Sequence, residues 1–405
     1  LIKVGVLGYG VVGTGIVELI DRNKENNNLR GVIITSILVR NKEKHLNKKY
    51  FDLITENAND VFNENNNIII ELIGGINPAY EYIKRALKSG VNVITANKEL
   101  IAERGDELFK LAKQNGVSLK FEASVAGGIP IIKPMVEMLQ GNKIESITGI
   151  LNGTTNFILT KMYEDGLDYN SVLQKAKELG FAESNPDADV LGYDASRKLS
   201  ILMTLGFNNR VVCKDIKIKG ITDITTKHIA YAKNKGFKIK LIAKGYREKD
   251  SVYAAVQPML IDNDSMLYNV NNEVNAVVVN GDAVGELAFI GKGAGMLPTA
   301  SAVYGDLLDI LNDRNTIINS FNSEVARVNN LVDNELKAIL IIKSERYENV
   351  LNEVKKEFLY TEIIEENEEE LALLIKACNE EQIDNLVKYL EVKDSNIDVV
   401  KYLTA

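Results

Sequence analysis

"IKVGVLGYGVVGTGIVELIDRN", Ile2 to Asn23, decides the fold. "IKVGVLG" is an apolar run of strand length, and "VVGTGIVELIDRN" continues as a helix. Between them Gly8, Gly10 and Gly13 spell G-x-G-x-x-G. Such glycines alone are weak evidence. A strand before them, a helix after them and a further apolar strand, "VIITSILVR", make them the phosphate turn of a dinucleotide-binding unit. Only glycine lets the backbone approach a pyrophosphate, which then sits at the positive end of the helix. Gly8, Tyr9, Gly10, Val11, Val12 and Gly13 are therefore the expected cofactor contacts. The plain alternative is a tight strand-to-helix turn without a ligand.

The second strand ends at Val39, and Arg40 follows where an NAD-selective site places Asp or Glu against the ribose 2′-hydroxyl. Lys42, Lys44, Lys48 and Lys49 come close behind. The pattern favours a 2′-phosphate, hence NADP, with NAD as the alternative; a solvated basic loop is the plain account of the lysines. Strands and helices keep alternating. "NIIIELIGG" reads as strand, "NPAYEYIKRALKSG" as helix, "VNVITANK" as strand, "ERGDELFKLAKQNG" as helix and "VSLKFEASVAGG" as strand. Alternation means a parallel sheet, and ligands bind beyond the carboxyl ends of its strands. Lys98 and the "EASVAGGIP" segment fall on that edge.

After Gly141 the pattern changes. "KIESITGILNG" reads as a strand, "TTNFILTKMYEDG" as a helix, and a long polar loop follows. "IKIKGITDI", "KIKLIAKGYR", "SVYAAVQPMLI" and "NAVVVNGDAVGELAFIG" read as strands of an antiparallel or mixed sheet. "PTASAVYGDLLDIL" is a helix expected to return to the first domain. The last segment runs strand "ELKAILIIKS", helix "RYENVLNEVKKEF", hairpin "EIIEEN" and "ELALLIKA", helix "NEEQIDNLVKYLEV", strand "IDVVKYL". That β-α-β-β-α-β order is ferredoxin-like. The expected fold is α/β: a Rossmann-type parallel sheet (1–129 with about 296–322), an α+β substrate and dimerisation domain (130–295), and a ferredoxin-like domain (331–405). The Asn-rich patches "NKENNN" and "NENNN" are expected to be exposed turns.

Composition narrows the function. A chain of 405 residues is too long for one compact core. A net charge of −8 argues against nucleic-acid and anionic-membrane partners. No apolar run approaches the roughly 20 residues of a membrane span. The opening "LIKVGVLGYG" is expected to be a strand rather than a signal peptide, and a cytoplasmic location follows from that reading. Cys213 and Cys378 make no disulfide or metal pattern. The only histidines, His45 and His228, lie in polar segments with lysines. Acid–base chemistry therefore falls to Lys, Asp, Glu or Tyr, and no zinc site is expected.

One helix then stands out. In "GYDASRKLSIL", Gly192 to Leu202, Asp194 and Lys198 are four apart. A solvated ion pair would lie opposite the apolar stripe. Here the stripe itself is Asp194, Lys198, Ile201, Leu202 and Leu205. Burying both charges is unfavourable unless they are well paired or face a polar cavity. Just upstream, Glu183, Asp187 and Asp189 crowd one loop. A first-turn acid at Asp194 is favoured by the helix dipole, but that does not explain Lys198.

Six motifs agree in order: G-x-G-x-x-G at 8–13, "TANK" at 95–98, "EASVAGGIP" at 122–130, "LNGTTN" at 151–156, "GFAESNPDADVLGYDASRKL" at 180–199 and "GKGAGMLPTASAV" at 291–303. With them the sequence resembles homoserine dehydrogenases over essentially its whole length, and its last unit resembles the ACT-type module of longer members. The resemblance implies reversible NAD(P)-dependent interconversion of L-homoserine and L-aspartate 4-semialdehyde, a step toward threonine, methionine and isoleucine. It implies that Asp194 and Lys198 face a substrate cavity between domains, with Lys98 across it near the nicotinamide. Glu183 and Asp189 match the family's substrate carboxylates, and Gly153 and Thr154 its backbone and hydroxyl contact. Thr95 and Lys98, with Gly295, Thr299 and Ala300, would touch the cofactor. "EASVAGGIP" resembles the family's monovalent-cation (sodium) site. Glu122 would supply a carboxylate, and Val125, Gly127 and Ile129 carbonyl oxygens, a set that suits a hard ion. A glycine turn with a buried Glu is the plain account. A homodimer or homotetramer is expected.

The chemistry agrees with this. The substrate's ammonium calls for carboxylates. Hydride transfer to an aldehyde builds negative charge on oxygen, which needs a proton donor nearby. Lys198 and Lys98 are the candidates, with Asp194 positioning Lys198 or a water. The sequence departs from the family at Phe181, where Tyr is common, and at Asn185, where an acid is common. The last unit lacks the usual Pro-Gly after its first strand; "SERYEN" stands there. Two rivals are weaker. A phosphorylating semialdehyde dehydrogenase needs a thiolate nucleophile, and the sequence "VVCKD" around Cys213 does not mark one. A nucleotide-responsive amino-acid sensor leaves the Asp194–Lys198 pair without a purpose.

Overall fold

The structure, a computed structural model, describes residues 1–24, 31–314, 318, 320–332, 336–344, 347–367, 370–393 and 397–405. The chain opens with β1 (Ile2–Leu7), α1 (Val11–Arg22), β2 (Val32–Leu38), β3 (Ile54–Thr55), α2 (Ala58–Asn63), β4 (Ile68–Glu71), α3 (Ala79–Lys88), β5 (Asn92–Thr95), α4 (Lys98–Gln114) and β6 (Leu119–Lys120). These strands form one parallel sheet in the order β3-β2-β1-β4-β5-β6. Such a sheet is covered on both faces, so β1 and β4 are nearly continuous apolar runs; Val4, Val6 and Ile68 to Ile70 are all buried. The strand order reverses between β1 and β4, and their carboxyl ends frame the crevice where such sheets take a ligand.

The chain continues through β7 (Ile144–Ile150), α5 (Gly153–Asp165), α6 (Tyr169–Glu178), α7 (Asp187–Val190), α8 (Tyr193–Phe207), β8 (Lys217–Ile218), α9 (Thr226–Asn234), β9 (Lys238–Glu248), β10 (Ser251–Ile261), β11 (Val274–Gly281), β12 (Gly285–Lys292), α10 (Met296–Leu311) and β13 (Val328–Asn329). The last segment is β14 (Leu336–Lys343), α11 (Tyr347–Glu357), β15 (Thr361–Glu366), β16 (Leu371–Cys378), α12 (Glu380–Lys393) and β17 (Asp398–Leu403). Two compact units result: residues 1–147 with 197–215 and 275–327, and residues 148–196 with 216–274 and 328–405.

In the first unit α10 packs on α1. Gly15 makes that contact possible, since a Cβ there would lie 2.7 Å from the Met296 carbonyl oxygen. In the second unit β9 and β10 pair antiparallel from Ser251↔Glu248 to Ile261↔Lys238, and short parallel strands β8 and β13 lie along β10. The same unit holds the antiparallel sheet β15-β16-β14-β17, the ferredoxin-like order expected. Leu340, Ile342, Leu373 and Ile375 of that sheet form a core with Val354, Ile383 and Leu386 of its helices.

Three readings change. The polar loop before α8 holds α6 and α7. In α6 Asp168 caps the first turn, and the buried stripe is only Val172 and Ala176, too narrow to show as periodicity. "TTKHIAYAKN" is the helix α9, capped by Thr225, with His228, Ile229 and Ala232 buried. The strand expected over "VSLKFEASVAGG" is two residues long, because the chain turns at Glu122 to bring its carboxylate inward. Of the Asn-rich patches, residues 25–28 lie outside the described residues. No helix among the described residues is long and apolar enough to cross a membrane.

Candidate active site

In the first unit the glycine turn has the geometry a pyrophosphate needs. Gly8 has φ of 105°, and a Cβ there would lie 2.7 Å from the Leu72 carbonyl oxygen. A Cβ on Gly13 would lie 2.2 Å from the Gly8 carbonyl oxygen. Gly10 has nothing within 4 Å on that side and precedes the first residue of α1 without a side-chain cap, so the helix N–H groups stay available. The ammonium of Lys48 donates to the Tyr9 carbonyl and to Thr14 Oγ1, each at 2.7 Å, and lies over the Tyr9 ring. Beside the turn is a cavity of about 420 Å³ lined by Gly8, Gly10, Val39, Arg40, His45 and Pro78 among others. His45 stacks on Tyr9 at 5.8 Å; burial, then Lys48 and Lys44, hold its pKa down.

At the carboxyl end of β4, Glu71 is fully buried. It accepts from Thr95 Oγ1 at 2.6 Å and from the Ile73 and Gly74 N–H groups at 2.7 and 3.2 Å. Burial pushes its carboxyl above the usual value. Thr95 Oγ1 in turn accepts from the Asn97 N–H at 3.0 Å, and Asn97 caps α4 through Leu100 N–H at 3.1 Å. The "TANK" turn is thus fixed from within, with Lys98 as the first residue of α4. Glu71 and Asn97 were missed by sequence reasoning. An acid ending an otherwise apolar strand was the available signal.

The "EASVAGGIP" and "GKGAG" loops pack on each other. Gly127 has φ of 49°, and a Cβ on it would meet the Gly293 carbonyl oxygen at 2.3 Å. Both Glu122 oxygens are engaged: they accept from Ile131, Ile132 and Lys133 N–H groups at 2.7, 2.8 and 2.7 Å. Its carboxylate caps that turn, although burial still raises its pKa. Val125, Gly127 and Ile129 are buried, and their carbonyl oxygens accept no hydrogen bond among the described residues. No group of three or more His, Cys, Asp or Glu that could hold a metal ion is found among the described residues. Gly295, with φ of 116°, opens α10, where Thr299 and Ala300 are buried.

In the second unit Asn152 gathers the acids. Its Oδ1 caps α5 by accepting from Thr155 N–H at 2.9 Å, and its Nδ2 donates to Asp189 at 2.7 Å and Asp194 at 2.9 Å. Thr154 Oγ1 donates to the Phe181 carbonyl at 2.6 Å and lies 3.3 Å from Asp189. Gly153 is the first residue of α5, while Glu183 is exposed and outside this set of bonds. Asn152 carries no charge and went unnamed in the sequence reading; its place before a helix was the signal.

Asp194 lies in the first turn of α8 and Lys198 one turn later, 3% and 8% exposed. The charged pair is buried, as the stripe implied. Beside Lys198, Arg197 forms a 2.8 Å ion pair with Glu99, the neighbour of Lys98.

A family model described as homoserine dehydrogenase matches residues 130–308, and one described as homoserine dehydrogenase, NAD binding domain, matches residues 8–122. The homoserine dehydrogenase of Bacillus subtilis (strain 168) is 43% identical over 320 residues, 77% of this chain and 73% of that protein. The crystal structure of a homoserine dehydrogenase from Thiobacillus denitrificans aligns with a TM-score of 0.90 at 32% identity, covering 100% of this chain and 98% of that one. A hyperthermophilic archaeal homoserine dehydrogenase in complex with NADPH aligns at 0.66 and 28% identity, over 78% of this chain and 99% of its own.

Proposed function

The chain belongs to the homoserine dehydrogenase family, and from that premise we propose how its residues divide the work. The enzyme is an NAD(P)-dependent oxidoreductase that interconverts L-aspartate 4-semialdehyde and L-homoserine. The observation that carries the residue assignment is the buried Asp194–Lys198 pair, with Asp194 held by Asn152.

The cofactor, when bound, supplies the hydride that reduces the aldehyde carbon. Gly8, Tyr9, Gly10, Val11, Val12 and Gly13 hold its pyrophosphate, and Thr95, Lys98, Gly295 and Thr299 its nicotinamide end. Arg40 and Lys48 favour the 2′-phosphate of NADP; NADPH in the archaeal neighbour supports that preference, and NAD remains the alternative. As the aldehyde oxygen gains negative charge, an ammonium of Lys198 or Lys98 gives it a proton, so aldehyde becomes alcohol and the lysine is left neutral. Asp194 orients Lys198 or a water. Glu183, Asp189, Gly153 and Thr154 hold the amino-acid end of the substrate.

The orphaned carbonyls of Val125, Gly127 and Ile129, with the Glu122 carboxylate, suit a monovalent cation such as sodium. We further propose functional domains at 1–129 with about 296–322, 130–295 and 331–405, the last ACT-like, in a cytoplasmic homodimer or homotetramer. The test is direct: purified protein should oxidise NADPH on addition of aspartate 4-semialdehyde, without phosphate. Absence of turnover with either nicotinamide cofactor would overturn the reading.

A further inference from the structure

α4 presents Glu99, Glu103 and Asp106 at i, i+4 and i+7, which is one face of a helix. Two arginines from one stretch of chain lie along it. Arg197 Nη2 is 2.8 Å from Glu99 Oε1. Arg210 pairs with Asp106 and reaches the Glu103 carbonyl at 3.4 Å. The Glu99 and Arg197 side chains are 31% and 25% exposed, so their pair is only partly screened.

Glu99 follows Lys98 directly, and Arg197 precedes Lys198. Adjacent residues on a helix point about 100° apart. The pair therefore lies on a different side of each helix from the lysine side chain, while fixing the level and rotation of the two helices that carry them. A half-exposed ion pair adds little to stability. Its geometric effect is larger, because misplacing a reacting group by about 1 Å can lower a rate about 100-fold.

We propose that Glu99 and Arg197 are a positioning pair that sets the separation of Lys98 and Lys198 for proton transfer; this rests on the reading that these lysines serve the reaction. The Arg210–Asp106 anchor keeps the chain seated on α4, so losing the Glu99 pair lets the helices pivot rather than separate.

The experiment compares Glu99→Gln, Arg197→Lys, the exchange of Glu99→Arg with Arg197→Glu, and Asp106→Asn as the distal control. For Glu99→Gln we expect kcat to fall about 10- to 100-fold with KM for NADPH within about twofold. The solvent deuterium effect on kcat should rise, because proton transfer becomes slower relative to the other steps; a merely structural role would not move it. Arg197→Lys, which keeps the charge but not the fork, should fall less, and the exchange should recover much of the loss. Asp106→Asn, which breaks a pair of the same exposure farther from the lysines, should change the melting temperature little and leave kcat within about twofold. Unchanged kcat and isotope effect in Glu99→Gln, with Lys98→Ala and Lys198→Ala both severe, would overturn the positioning role alone. Near-normal turnover in both lysine variants would instead overturn the functional reading.

Discussion

The side-chain amide of Asn152 donates a 2.9 Å hydrogen bond to the carboxylate of Asp194 in the buried interior of the second unit. The same Nδ2 also serves Asp189, and Oδ1 serves the first turn of α5. Every hydrogen-bonding position of that amide is used. One neutral side chain thus holds two acids side by side without adding charge.

Asn152→Asp tests this. The new carboxylate can still cap α5, but it faces Asp189 and Asp194 as a like charge. One of the three must then bind a proton more tightly than in the unfolded chain. A raised folded pKa gives stability that is present at low pH and lost as pH rises. We expect the variant to be less stable than the parent by about 3 kcal/mol at pH 8, with a much smaller gap at pH 5. Urea unfolding at both values decides; a gap independent of pH sinks the account.

Lys198→Ala and Lys98→Ala should each lower kcat by several orders of magnitude, while NADPH binding by fluorescence changes little. Proton donation is lost at the transition state rather than in the ground state. Asp194→Ala should be comparably severe, whereas Glu183→Ala should chiefly raise KM for the amino-acid substrate. Parent-like turnover in both lysine variants rules out their assignment.

Arg40→Ala should raise KM for NADPH at least tenfold more than KM for NADH. A guanidinium matches a phosphate with paired hydrogen bonds, and the 2′-hydroxyl of NADH offers nothing equivalent. Equal effects on the two cofactors would mean that Arg40 does not read the phosphate.

What could be read from the sequence follows from how far apart the partners are. The glycine turn is local: strand, glycines and helix lie within one stretch, and Gly8 and Gly13 are tight where the motif requires it. The stripe of α8 is also local, and Asp194 and Lys198 are buried on it. Asn152 instead joins residues 37 and 42 positions away, and nothing near it signals that. Glu122 is named by its motif, but its three N–H partners lie nine to eleven residues further on and nothing local points to them. Helices α6 and α9 bury too few residues for their period to show.

Lys240 is another such case: β9 buries it to 1% exposure. Its ammonium donates to Asn156 Oδ1, the Val270 carbonyl and Asn271 Oδ1 at 2.9, 2.7 and 3.1 Å. Burial still pulls its pKa down to about 7. Between that value and the unfolded value of about 10.4, the unfolded chain binds more protons, so this residue makes stability rise with pH. Lys240→Met lacks the effect and leaves three oxygens unpaired. We expect the stability of parent over variant to grow by about 1 kcal/mol per pH unit between about pH 7.5 and 9.5. Denaturant melts across that range should show the slope, and a flat difference would mean that Lys240 does not titrate there.

The last prediction concerns threonine, the effector that an ACT-type resemblance suggests. Modules of this kind commonly take it where a glycine lets the first strand-to-helix turn come close. The chain has "KSERYEN" at that turn, without glycine; Glu345 and Arg346 lie outside the described residues, and Ser344 before them is buried. The sheet face away from the module's helices is closed as well: Ile339, Ile341 and Leu374 are buried, and α9 and β10 lie against the module. His228 Nδ1 meets Tyr402 Oη at 2.8 Å, Tyr231 donates to Glu370 at 2.5 Å, and the Ala405 N–H donates to the Leu260 carbonyl at 3.1 Å. We propose that a module fixed in this way serves assembly rather than effector binding. We expect threonine to leave turnover unchanged and to give no calorimetric binding below the millimolar range. Tyr402→Phe should lower stability by about 1 kcal/mol without creating threonine sensitivity. Micromolar threonine binding that slows the parent enzyme would show that the missing glycine had been replaced by side chains after all.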